Sequence, residues 1–146
     1  MAHLCEDQYM ARRPIEVFFY GLFMDIELLR SQAVVPMHAR RAFVEGFTLR
    51  IGQRATLMPT AGARVYGMLM ALTHHDIAQL YAAPGLQHYL PEAVLAQTLE
   101  GQAVPALCYN LVEPPSASER NPTYAAQLKG ILQGLGFPAK YVASIQ

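Results

Sequence analysis

The chain has 146 residues, with 11 Lys plus Arg against 11 Asp plus Glu, 53% hydrophobic and only 15% charged residues. That length builds one domain able to bury about two thirds of the surface its unfolded chain would expose. The charge balance leaves no net field to hold a polyanion or an anionic membrane, so no nucleic-acid partner is expected. No run reaches the ~18 apolar residues of a membrane span, and so little charge on the surface would be accounted for by a homodimer.

The opening "MAHLCEDQYMARR" mixes acids, bases and polar residues without an apolar stretch. It reads as an N-terminal extension over residues 1–14, not as a signal peptide, and the expected compartment is cytoplasmic. "IEVFFYG", residues 15–21, is β-branched and aromatic and closes on Gly21, the pattern of a strand entering a tight turn. "IELLRSQA" then follows as a helix that Asp25 can cap.

Residues 41–52, 54–59 and 64–72 read as three strands separated by Gly, Pro and small residues, with Gly46 marking a bulge or bend. The third is almost wholly apolar and is expected to be central. Thr73 with Asp76 three residues on announces a short helix. "YLPEAVLAQT" and "QAVPALCYNLV" resume strand character, Pro91 and Pro105 indicating strand starts or edges. The final helix is marked by Asn121 as cap, Pro122 at the first position, a stripe of Tyr124, Leu128, Ile131, Leu132 and Leu135, and a stop at Gly136 and Pro138. Many short strands with helices inserted between them predict an α+β domain built on a small mixed β-barrel with flanking helices.

Cys5 and Cys108 lack metal or redox spacing, and Cys108 within "VPALCYNLV" reads as a small buried hydrophobe. His74 and His75 stand about 100° apart on a helix, which keeps two imidazoles from one ion, so no metal site is expected there.

Three stretches carry a resemblance. "VFFYGLFMDIELL" resembles the opening strand and loop of the γ-glutamylcyclotransferase-like family (AIG2-like fold), with its "YG" element. "RATLMPTAGARVYGMLMALTHHDIAQL" resembles that family's central strands, and "PSASERNPTYAAQLKGILQGLGFPAKYVASI" its tail, a Tyr-bearing helix followed by "LP..Y". The similarity runs in order from about Val17 to Ile145.

The resemblance implies a single domain, residues 1–146, with a cavity at one end of the barrel. It also implies a reaction in which a substrate's own α-amine attacks its γ-glutamyl carbonyl, giving 5-oxoproline without metal or cofactor. Such an intramolecular step needs a folded substrate pose, a carboxylate to move a proton from ammonium to leaving amine, and donors aimed at the oxyanion. The family's anion cradle maps onto Tyr20, Gly21, Leu22 and Phe23. Its aromatic positions map onto Tyr89 and Tyr124.

The family's "LD..EG" stretch reads "LYAAPG" here, residues 80–85. Tyr81 stands for the Asp and Pro84 for the Glu that shuttles the proton, and Pro carries no ionisable group. Ordinary cyclisation is therefore not expected, and the leading expectation is a protein that binds a small amino-acid-type or γ-glutamyl ligand. Two alternatives stand beside it. One is an active cyclising or acyl-transfer enzyme with a relocated base, for which Glu92 comes first, ahead of Glu45 and Glu27, provided its strand face looks into the barrel. The other is a non-catalytic structural or interaction protein, which a cavity filled by Phe23, Tyr81 and Tyr89 would favour and an open cavity holding Arg54 would disfavour. Arg54 and Arg50, if turned inward, would suit a ligand carboxylate or phosphate through paired hydrogen bonds.

Overall fold

The structure is a computed structural model that describes residues 13–146. The chain runs β1 (Pro14–Phe19), a 3-10 turn (Leu22–Met24), α1 (Ile26–Ser31), β2 (Met37–Ile51), β3 (Ala55–Thr73), α2 (His74–Tyr81), β4 (Tyr89–Thr98), β5 (Ala103–Leu111), α3 (Pro122–Gly134) and α4 (Ala139–Ala143). Its five strands close into a barrel in the order β1-β3-β2-β4-β5. Four of the seams are antiparallel; the fifth, β1 against β5, is parallel and pairs at a single position, Val17 with Leu107.

β1 begins at Pro14, inside the stretch assigned to the N-terminal extension, and Cys5 lies outside the described residues. Residues 54–59 and 64–72, expected as two strands, are one strand of 19 residues. The break between them survives as a register shift: Glu45 pairs with Arg64 and Phe47 with Pro59, so residues 60–63 bulge opposite Gly46. Gly46 (φ 86) and Gly62 (φ 81) supply the left-handed backbone that this irregularity requires. The apolar end of β3, from Met68 to Leu72, is central as expected, with β1 on one side and β2 on the other.

Helix ends follow the local chemistry. Asp25 accepts from the Glu27 N–H at 3.0 Å, the Thr73 hydroxyl from the Asp76 N–H at 3.1 Å, and the Asn121 side chain from the Tyr124 N–H at 3.1 Å. α3 buries Leu128 and Leu132 on the barrel, and Gly136 (φ 78) ends it. Val17, Phe18, Leu69, Met70, Leu72, Leu80 and Cys108 are fully buried in the core. Burial pushes the Cys108 thiol well up, and the charge of Glu92 adds to the rise, so it is an inert packing residue and not a nucleophile.

Candidate functional site

Where β1 runs out into the 3-10 turn, a cavity of about 520 Å³ opens between that turn, the start of β3, the segment after α2, and the ends of β4 and β5. Tyr20, Gly21, Leu22, Phe23, Arg54, Tyr89 and Tyr124 all line it. The structure thus brings together seven of the eight residues singled out from the sequence. It adds Tyr81, Tyr109, Pro84 and Gln53, among others.

The turn after β1 is held by the Met24 N–H donating to the Gly21 carbonyl at 3.0 Å and the Asp25 N–H to the Leu22 carbonyl at 3.0 Å. What crowds Gly21 is the protein itself: a Cβ there would lie 2.4 Å from the Tyr124 hydroxyl oxygen. Gly21 therefore lets α3 set a phenol directly over the turn. Burial pushes the Tyr124 hydroxyl up to about 12, with the Leu22 N–H pulling the other way.

Arg54 reaches the cavity from the short turn between β2 and β3, and that turn is stapled from below. Glu119 accepts from the N–H groups of Ser116 at 2.7 Å and Gln53 at 3.3 Å, and the Asn121 side chain donates to the Gln53 carbonyl at 3.0 Å. Arg50 donates to the Ser116 carbonyl at 2.6 Å. It is a clamp on this loop and lies outside the cavity, contrary to an inward, ligand-facing Arg50. The Arg54 guanidinium then lies over the backbone of Gly85, where a Cβ would come within 1.8 Å of Nη2. Gly85 is needed twice over, for that close approach and for its φ of 85.

Tyrosines make up much of the remaining wall. Tyr81 stacks on Tyr109 with centroids 4.2 Å apart, meets Phe23 edge-on at 5.9 Å, and lies tilted against Tyr89 at 6.0 Å. The Tyr20 hydroxyl donates to the Tyr109 carbonyl at 2.7 Å, and the Tyr89 hydroxyl to the Ala55 carbonyl. Burial raises Tyr20, Tyr81 and Tyr89 above the ordinary phenol value, the Arg54 charge opposing the shift at Tyr89. These phenols keep their protons at neutral pH and act as hydrogen-bond donors, not bases.

Glu92, the candidate base, is excluded from the cavity as Arg50 is. On the β4–β5 ribbon Tyr89 and Tyr109 face the cavity, and Glu92, three residues beyond Tyr89, points to the other side beside Cys108. There its carboxylate accepts from the Asn110 side chain at 2.8 Å, and the residue is exposed rather than desolvated. Strict alternation already forbade Tyr89 and Glu92 from sharing a face. Glu27 and Glu45 sit in surface ion pairs with Arg30 and Arg64 at 3.0 and 2.5 Å. His74 and His75 are exposed on the first turn of α2. Among the described residues no Asp, Glu, His, Lys or Cys lines the cavity, and Pro84 does.

Tyr109 escaped the sequence reading. Its signal was Cys108, assigned to the core, which by period two places its neighbour on the opposite face.

The family model described as gamma-glutamyl cyclotransferase, AIG2-like, matches residues 17–127. Among solved structures, one described as gamma-glutamyl cyclotransferase superposes with a TM-score of 0.76 at 20% identity, covering 92% of this chain and 89% of that one. An uncharacterized protein from Homo sapiens gives 0.73 at 22% identity, with 91% and 88% covered. YkqA from Bacillus subtilis gives 0.74 at 20% identity over 94% of this chain and 55% of its own. These likenesses establish the fold. A comparison with curated protein sequences returned no match.

Proposed function

Because this chain belongs to the gamma-glutamyl cyclotransferase, AIG2-like family, we propose that it uses the barrel-end cavity to bind a small amino-acid-type or γ-glutamyl ligand without cyclising it. The observation that carries this reading is the composition of the wall: one guanidinium, five tyrosines, and no carboxylate or imidazole among the described residues.

Cyclisation begins when an ammonium loses a proton to a base poised near neutral pH, and ends when a leaving amine gains one. Arg54 is permanently protonated. Phenols whose pKa is raised cannot take the proton either. Pro84, which stands where the family resemblance puts a Glu, offers no ionisable atom. Binding needs none of this. An open volume of about 520 Å³ with apolar and aromatic walls and a few polar groups has the form of a small-ligand site. That openness, with Arg54 inside, weighs against a purely structural role.

The test pairs calorimetric titration of γ-glutamyl amines with an assay for released 5-oxoproline. Saturable binding without lactam formation is the expected result. Turnover by the unmodified protein would defeat the reading, and its loss in Glu92→Gln would install the relocated-base enzyme instead.

A further inference from the structure

The wall of the cavity is unbalanced in a way that selects among amino-acid-type ligands. Between residues 30 and 120 every other arginine has an acceptor: Arg30, Arg40 and Arg64 pair with Glu27, Glu16 and Glu45, while Arg41, Arg50 and Arg120 donate to backbone carbonyls. Arg54, the one that enters the cavity, makes no hydrogen bond or ion pair with any described residue. It is held by packing on Gly85, so its fork is oriented and its donors are left open.

Acceptors show the opposite pattern. The Ala55 carbonyl already takes the Tyr89 hydroxyl and lies 3.5 Å from that of Tyr20, and the Tyr109 carbonyl takes Tyr20 at 2.7 Å. Beside the phenol oxygens, the side-chain amides of Gln32 and Gln53 are the neutral side-chain acceptors in the lining. A carboxylate entering this space meets a fixed counter-charge. An ammonium meets none, and a cation taken out of water without a partner is strongly disfavoured.

We propose that the cavity selects small carboxylates that carry no free ammonium group, such as N-acylated amino acids and lactam acids, over the corresponding zwitterions. This rests on the reading that the cavity binds amino-acid-type ligands, and it narrows that class. It also gives the missing base a second consequence: a ligand whose nitrogen is acylated has no ammonium to deprotonate and no nucleophile to cyclise.

The experiment is calorimetric titration with matched probes sharing one side chain, across glycine, leucine, phenylalanine and glutamine: the N-acetyl amino acid, the free amino acid and the amino acid amide, with 5-oxoproline as the lactam probe. In at least one set the N-acetyl acid binds roughly tenfold or more tighter than the free amino acid, and the cationic amide binds weakest. Arg54→Met abolishes the preference, whereas Arg54→Lys keeps it with weaker binding, a rescue that a merely structural role for Arg54 would not give. Free amino acids binding as tightly as their N-acetyl forms would overturn the selection while leaving the binding function standing. If no probe and no γ-glutamyl amine bound, the binding function itself would fall and this inference with it.

Discussion

Gly85→Ala isolates the device that aims Arg54. A Cβ on Gly85 would sit 1.8 Å from Arg54 Nη2, and ordinary contact begins at 3.4 Å, so the guanidinium must retreat by about 1.6 Å. The colliding atoms are the far end of a flexible side chain, so the clash is relieved by swinging the fork away, at little cost to the fold. The left-handed backbone at φ 85 is a separate burden, about 1–2 kcal/mol for an L-residue. Together these give a melting temperature lower by roughly 3–8 °C, since each kcal/mol moves a domain of this size by about 3–4 °C. A loss of carboxylate affinity matching that of Arg54→Met should accompany it. Titrating wild type, both single variants and the double variant with an N-acetyl amino acid closes the cycle. Because both changes remove the same contact, the double variant should bind no more weakly than either single one. Gly85→Ala retaining wild-type affinity while Arg54→Met loses it, or the two losses adding, would refute the idea that Gly85 aims the fork.

Three further outcomes follow from the same geometry. Tyr124 is raised by burial to about 12 from the ordinary 10, so its contribution to stability is complete below pH 10 and disappears as pH climbs through 12. Circular dichroism and tyrosinate absorbance followed together should show ionisation of the buried phenols only as the protein unfolds in that window. Glu92→Gln keeps an acceptor for Asn110 on the far face of the β4–β5 ribbon, so ligand affinity should stay within about twofold and stability within about 1 kcal/mol; titration and thermal melting check both. Gly67→Ala would drive a Cβ to 2.2 Å from the Phe19 carbonyl and 2.7 Å from the Phe18 ring, inside the β1–β3 seam. Overpacking there should cost about 3 kcal/mol, measured by chemical denaturation.

Strands and caps were legible because their signals are local. Asn121, Pro122 and Gly136 mark α3 by backbone chemistry that needs no tertiary partner, and the alternating pattern of 103–111 marks β5. The merging of two expected strands into β3 was not legible. Gly, Ala and Pro between residues 59 and 63 look like a loop, and only pairing with β2 across the Gly46 irregularity keeps them extended. At the site, Tyr20, Gly21 and Tyr124 could be read because they belong to a recognisable stretch. The staple that sets Arg54 could not. It joins residues 50–54 to 115–121 through Glu119 and Asn121, contacts separated by more than sixty positions in the chain. Glu92 lies on the face of the buried Ala96 and Cys108, which does look into the barrel. The cavity opens on the other face of the ribbon, that of Tyr89 and Tyr109, a choice that alternation alone does not make.

The single paired position between β1 and β5 makes the cavity's address significant. Phe18, Phe19 and Tyr20 on one edge and Tyr109 on the other all belong to its wall, so the opening straddles the join where a five-stranded ribbon is curled into a tube. Elsewhere a ladder of backbone bonds zips neighbouring edges; here a phenol latch, Tyr20 onto the Tyr109 carbonyl, helps to keep the tube shut. A guest lodged across that join touches both edges at once and acts as a rivet. Occupancy and resistance to uncurling are then one thermodynamic quantity, which makes local opening of this join, followed by amide hydrogen exchange, a direct gauge of how well any molecule fits.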